Sequence, residues 1–277
     1  MKYIFLYSII IIIIALHSCC EIAPEISDVE VPDSDRVVLL EELTGASCPN
    51  CPKGTKAVEA ILTKYPEKVA AVAIHGDFLA KPTSKSKYDF RNEKAKNLEN
   101  WLKPWLGKPA ATCNRIDLMD DDQKYAIVNT GQWEALVTDE LNKTHQLNLL
   151  MKLTYNEANR QLQIDLTAIP LVDLAGDFNI SVFLTESHIV DAQTDASVII
   201  EEFEHNHVLR DMPTNYDGDF LASNMKANTL YKKSYLYTLP VNANGLWKAE
   251  NMEVVAAVHY SSANERTVFQ AVKQHLK

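Results

Sequence analysis

Two cysteines three positions apart carry the most specific chemical signal in the chain. Cys48-Pro49-Asn50-Cys51 follows an apolar run, Val37-Val38-Leu39-Leu40-Glu41-Glu42-Leu43, and precedes a segment in which Ala57, Val58, Ile61 and Leu62 recur at helical spacing. A CxxC at a helix start has a concrete chemistry. The free N–H groups and partial positive charge of the helix end favour a thiolate on the first cysteine. The second lies one turn on, close enough to resolve a mixed disulfide formed by the first. Two other readings of the same spacing remain open: a structural disulfide, or half of a zinc site. Zinc needs a second ligand pair of regular spacing, and the N-terminal half offers none.

The elements that must position these thiols form a βαβ pattern. The spacing predicts a buried strand over 37–43, a helix over 52–65 ended by Pro66, and a second buried strand over 69–74 (Val69-Ala70-Ala71-Val72-Ala73-Ile74). A helix over 88–105, a strand over 110–116 and a last helix over 131–143 follow. After Thr144 the pattern turns to alternation, with strand candidates at 146–155, 161–169, 178–184, 206–209, 230–239, 252–260 and 267–272. Strands separated by Asn, Asp, Gly and Pro turns suggest an antiparallel sandwich.

At this point the chain resembles the thioredoxin superfamily. That resemblance implies a cis proline opposite the CxxC, for which Pro109 is the matching candidate. It also implies a buried carboxylate six residues before the first cysteine, which is Glu42. Burial would raise the pKa of Glu42 and make it a usable proton acceptor for Cys51. Cys48 would then be the nucleophile, facing solvent. Ser47 stands where thioredoxins usually carry Trp, and the central dipeptide is Pro49-Asn50 rather than Gly-Pro. Pro52 suits a helix start. Cys113, four residues beyond Pro109, reads as a buried inert thiol, with a resolving or shuttling role as the alternative.

The N-terminus supplies a location. Met1-Lys2 is followed by an apolar run from Tyr3 to Leu16, shorter than the roughly 20 residues of a spanning helix. The segment Leu16-His17-Ser18-Cys19 resembles the bacterial lipobox, with His17 a departure. The resemblance implies cleavage before Cys19 and lipidation of that cysteine, which anchors the protein to a membrane from outside the cytoplasm. Residues 20–35, Cys20 included, read as an acidic tether. The domain organisation expected is therefore a signal peptide at 1–18, a lipidated tether at 19–35, an α/β thioredoxin-like domain at 36–143 and an all-β immunoglobulin-like sandwich at 144–277. The formal charge of the chain is −10, and loss of residues 1–18 removes Lys2 and no acid, giving −11. Such a balance argues against nucleic acid as a partner and against an electrostatic grip on an anionic bilayer. No cofactor is called for.

A second polar constellation is Glu204-His205-Asn206-His207-Val208-Leu209-Arg210-Asp211. His205 and His207 would share one face of a strand and are the weak metal candidates, against the plainer reading of a polar strand face. Asp217-Gly218-Asp219 reads as a turn. Of Tyr231, Tyr235 and Tyr237, two are expected to face the sheet core, and a sugar-binding face is the alternative.

Several stretches together resemble one family: Leu39-Leu40-Glu41-Glu42-Leu43-Thr44-Gly45 running into Cys48-x-x-Cys51-Pro52-x-Gly54; Val72-Ala73-Ile74-His75; Asn114-Arg115; and His205-Asn206-His207-Val208-Leu209-Arg210. The chain is similar to the twenty-eight-kilodalton outer-membrane protein family of Bacteroidetes lipoproteins, over roughly 36–275. The resemblance implies an outer-membrane, lipid-anchored protein facing the periplasm or the surface, with a thioredoxin-like domain followed by an immunoglobulin-like one. Two functions follow as expectations. One is thiol–disulfide exchange with protein clients in the cell envelope. The other is a surface-binding, adhesin-type lipoprotein whose CxxC is structural and whose sandwich contacts a surface protein or glycan.

Overall fold

The computed structural model describes residues 34–241, 244–262 and 265–277. The signal peptide, Cys19, Cys20 and most of the tether lie outside the described residues. The protein is β-rich, with three α-helices among the described residues. In chain order the elements are β1 (Val38–Leu43), α1 (Cys51–Lys64), β2 (Val69–Ile74), α2 (Glu93–Trp101), β3 (Ala110–Cys113), β4 (Ala126–Ile127) and α3 (Trp133–Leu141). Then come β5 (Leu147–Asn156), β6 (Gln161–Pro170), β7 (Leu174–Glu186), β8 (Ile189–Asp195), β9 (Val198–His205), β10 (Val208–Asp211), β11 (Asp219–Met225), β12 (Tyr231–Thr238), β13 (Met252–Tyr260) and β14 (Val268–His275).

β1 and β2 are apolar at nearly every position because both faces of their sheet are covered. All six residues of each strand are buried, and they pair in parallel from Val38↔Val69 to Leu43↔Ile74. Val38 and Leu40 pack under α1 and α3 with Val58, Ile61, Trp133 and Val137. Leu39 and Leu43 pack on the opposite face with Ala95 and Leu98 of α2. Glu41 and Glu42 therefore inherit opposite faces of one strand.

The sheet does not end with the N-terminal half. Its order is β14-β13-β7-β10-β2-β1-β3-β4, with β11 added to β7. β10 bridges the halves: Val208 pairs in parallel with Ala73, while Val208 and Leu209 pair antiparallel with Glu186 and Thr185. Phe183, Leu209, Val255 and Ala271 share the cluster that holds Leu39 and Leu43. A second sheet, β12-β6-β5, packs on the β7/β13 end through Leu149, Ile164, Phe178, Val182, Val254 and Val258. Residues 34–277 form one compact unit. The change of character at 144 falls between α3 and β5 inside that unit.

Several sequence expectations are corrected in detail. The helix expected over 88–105 is confined to 93–101. Asn92 caps it by accepting from the Ala95 N–H, and the peptide nitrogens of Lys87 and Tyr88 are instead bound by the Asp191 carboxylate. Pro104 follows the helix and disfavours helical backbone at Lys103. The strand expected over 110–116 stops at Cys113, because Asn114 and Arg115 both take left-handed backbone, φ 48° and 49°. The helix expected over 131–143 is a 3-10 turn at 130–132 followed by α3. The sequence missed β4, which is two residues long, and β8, β9 and β11, where apolar residues such as Val190, Val198 and Phe220 are exposed and the alternation is broken. Tyr231, Tyr235 and Tyr237 all face inward against the second-sheet core, rather than two of the three.

Candidate functional site

β1 delivers the chain to Thr44, whose N–H is bound by the Ile74 carbonyl, and the loop 45–50 then folds under the start of α1. Gly45 is required there by a close approach: a Cβ on it would lie 2.2 Å from the Leu79 carbonyl oxygen. Cys48 N–H donates to the Gly45 carbonyl, and Cys51 N–H to that of Cys48. Cys48 and Cys51 are joined as a disulfide with a Cα–Cα distance of 5.4 Å. Cys51 begins α1, and Pro52 sits in its first turn, where a missing N–H costs nothing.

Two of the sequence candidates, Glu42 and Pro109, meet at the helical turn that follows this pair. The Lys108–Pro109 peptide is cis. Gly54 lies one helical turn after Cys51, and a Cβ there would be 2.5 Å from Glu42 Oε1 and 2.7 Å from Pro109 Cβ. Glu42, from β1, and Pro109, just ahead of β3, thus press on the same glycine. Glu42 is buried, and its Oε1 has no hydrogen-bond partner. Burial raises its pKa to about 8. The Thr44 hydrogen bond opposes that rise, the Glu59 charge adds to it, and Lys108 opposes it.

The expectation of a solvent-facing dithiol is corrected. Cys48 is 0% exposed and Cys51 1%. The cover comes from the other half of the chain, the hairpin β8–β9. Thr194 N–H donates to the Ala46 carbonyl at 2.9 Å, and Ala196 N–H to that of Pro49 at 2.8 Å. The Gln193 side chain donates to the carbonyls of Gly45 at 3.2 Å and Cys48 at 3.1 Å. Nothing local in residues 189–205 signals this role, since it rests on pairings some 145 positions apart in sequence.

Lys108 is a second residue that sequence reasoning missed. Its ammonium is buried and donates to the Thr44 carbonyl at 2.8 Å and to Glu99 Oε2 at 2.7 Å. Desolvation lowers its pKa, and Glu99 opposes that. The pair pins the residue before Pro109 to the end of β1. Its only sequence signal is a lysine beside a singled-out proline.

His205 and His207 do not share a strand face. His205 ends β9, whereas His207 lies in the turn before β10 with φ 55°. The His205 ring packs among His75, Phe90 and Phe203. His207 instead lines a cavity of about 10 Å³ together with Glu42, Thr55, Glu59 and Asn206, near the lower limit for one water molecule. Burial holds both imidazoles down to a pKa of about 4 and His75 well below its ordinary value. Among the described residues, no group of three or more His, Cys, Asp or Glu side chains converges as a metal site. Cys113 is buried in the α1/α3 cluster, and burial pushes its thiol up. Asp217-Gly218-Asp219 forms a turn in which Gly218 N–H donates to the Asn215 carbonyl.

The family model described as outer membrane protein Omp28 matches residues 103–277. The structure is similar to HBP35 of Porphyromonas gingivalis, at 14% identity and a TM-score of 0.67, covering 88% of this chain and 76% of that one. It is also similar to a protein of Agrobacterium tumefaciens, at 12% identity and a TM-score of 0.54, covering 89% of this chain and 97% of that one. A domain of the outer membrane lipoprotein Omp28 from Porphyromonas gingivalis aligns at 17% identity over 47% of this chain and 88% of that one, with a TM-score of 0.33. No curated protein matches the sequence.

Proposed function

The chain belongs to the outer membrane protein Omp28 family, and on that premise we propose that it is a lipid-anchored thiol–disulfide exchange protein of the cell envelope, tethered through Cys19. The observation that carries the reading is Glu42. A buried carboxyl with a pKa of about 8 and an unpartnered oxygen presses on the turn of α1 that follows the Cys48–Cys51 pair. This is the environment of a proton donor and acceptor, and a purely structural disulfide has no use for it. The thioredoxin-like reading of 36–143 and the immunoglobulin-like reading of 144–277 belong to this proposal.

The chemistry balances in either direction. A client thiolate attacks Cys48 Sγ and forms a mixed disulfide, while the Cys48–Cys51 bond breaks. Cys51 leaves as a thiolate and takes the proton of the neutral Glu42 carboxyl. A second client thiolate then releases Cys48, leaving the client oxidised by two electrons and the pair reduced. In reverse, the Cys48 thiolate attacks a client disulfide, and Glu42 accepts the Cys51 proton as Cys51 displaces the client. The client class is a protein dithiol or disulfide. The test is exchange with insulin or a scrambled disulfide substrate, measured against a Cys48→Ser control. A rate equal to the control rules the reading out.

One observation favours a second reading. Both cysteines are buried and β8–β9 is hydrogen-bonded to the loop that carries them, as in a disulfide that serves stability. The protein would then act through binding, with the β-rich second half contacting a surface protein or glycan. In that case a Cys48→Ser/Cys51→Ser protein keeps partner binding and loses only stability.

A further inference from the structure

The hairpin β8–β9 pairs with neither of the other two sheets. It stands as a two-stranded arm whose outer surface is exposed, including Val190, Val198 and Ile199. Its root is fixed where His188 N–H donates to Asn206 Oδ1 and His207 N–H to Ser187 Oγ. Midway, the Asp191 carboxylate accepts from the Lys87 and Tyr88 N–H groups at 2.7 and 3.0 Å. A bulge between Asp191 and Gln193 then turns the tip toward the CxxC loop. At the tip, Ala196 takes left-handed backbone, φ 50°, and its N–H reaches Pro49.

The contacts at the tip follow one pattern. Gly45, Ala46, Cys48 and Pro49 offer carbonyl oxygens, and the hairpin answers with two main-chain N–H groups and one side-chain amide. That is how an extended peptide attaches to an exposed row of backbone acceptors. Thr194 directs its N–H at Ala46, as an outer residue of β8 whose hydrogen-bonding edge faces away from β9.

We propose that β8–β9 occupies, in cis, the surface on which an extended segment of a protein client docks beside Cys48, so that a client reaches the disulfide by displacing the hairpin tip from the carbonyls of residues 45–49. The inference rests on the exchange reading and adds to it the kind of partner: a chain segment that is extended around its cysteine and offers backbone N–H donors. It also explains how a dithiol with no exposed surface exchanges at all. The tip opens locally, at lower cost than the whole fold.

The test uses the full mature lipoprotein in detergent, reduced, with iodoacetamide alkylation read at Cys48 by peptide mass. Thr194→Pro removes the donor to Ala46, and a second variant replaces residues 192–200 by a short turn. Both are expected to alkylate Cys48 at least about tenfold faster than the wild type. In the wild type, the Thr194 and Ala196 amides should exchange with deuterium in the same opening that admits the alkylating reagent. Equal alkylation rates in all three proteins overturn the proposal, as does alkylation of the wild type faster than those amides open. With the shortened variant, a cystine-linked peptide should form a mixed disulfide several-fold faster than its copy N-methylated beside the cysteine. Equal rates for the two peptides overturn the docking surface. Insulin exchange is run in parallel. Fast alkylation with no insulin exchange upholds the hairpin as the occupant of the loop and removes the exchange reading, whereas insulin exchange with unchanged alkylation does the reverse.

Discussion

Glu41 and Glu42 are adjacent in β1, both buried, and only Glu41 meets a cation at hydrogen-bonding distance. Arg115 donates to Glu41 Oε1 at 2.6 Å and to Oε2 at 2.8 Å, and the Thr112 hydroxyl adds a third bond. On the other face, Glu42 Oε1 has no partner. One strand thus carries a structural ion pair and a titratable acid back to back, each set by its face of the sheet.

The acid has a signature in stability. Below pH 4.5 the Glu42 carboxyl is protonated whether the chain is folded or not. Between 4.5 and about 8 the unfolded chain releases a proton that the native state keeps. Stability therefore falls as pH rises through that window, by up to about 1.4 kcal/mol per pH unit from this group. Glu42→Gln should remove that slope in the oxidised protein. Denaturant melts of both proteins at pH 5, 6.5 and 8 check it, and parallel curves would show that Glu42 titrates normally.

The resolving step has its own readout. With Cys51→Ser, a client disulfide attacked by Cys48 should stall as a mixed disulfide visible on a non-reducing gel. Cys48→Ser should form none. Glu42→Gln should slow the resolution of the mixed disulfide, with its formation less affected, and the deficit should be seen as a lost pH dependence between 6 and 9.

Gly54 is a helical glycine that should reject alanine. Elsewhere in a helix the exchange would gain about 0.5–1 kcal/mol. Here a Cβ would lie 2.5 Å from Glu42 Oε1 and 2.7 Å from Pro109 Cβ. The expected outcome is a net loss of about 1–3 kcal/mol, together with an altered Cys48–Cys51 exchange rate. A stabilised Gly54→Ala protein would mean that α1 sits farther from β3.

The buried ion pair should behave as a unit. Arg115→Met strands the Glu41 charge and is expected to cost about 3–5 kcal/mol. Adding Glu41→Gln should recover much of that loss, so the double variant falls well short of the sum. Urea melts of the two single variants and the double variant form the cycle, and additive losses would contradict the pairing.

How much of this was legible in the sequence depends on range. β1, α1 and β2 announce themselves through continuous apolar runs and helical spacing, whereas Glu42 is singled out by the family resemblance and not by the pattern itself. Pro109 too comes from that resemblance, as the proline that precedes a later strand. What stayed hidden is the long-range part. Gln193 and Thr194 belong to a strand with little alternation, so nothing marks them as the cover of Cys48. Lys108 and Glu99 read as surface charges until the fold buries them together. Period-two spacing puts His205 and His207 on one strand face, whereas left-handed backbone at His207 turns the chain between them.

The bridge from Ala73 through Val208 to Glu186 also has a consequence for heredity. Cutting the gene at codon 144 would leave the β2 edge bare and split the cluster that Leu39 and Leu43 share with Phe183, Leu209 and Val255. Each fragment would keep one cluster whole, the α1/α3 cluster or the second-sheet cluster, and lose the one they share. Recombination that parts the cysteine pair from β8–β9 therefore also breaks the sheet through which the two are joined.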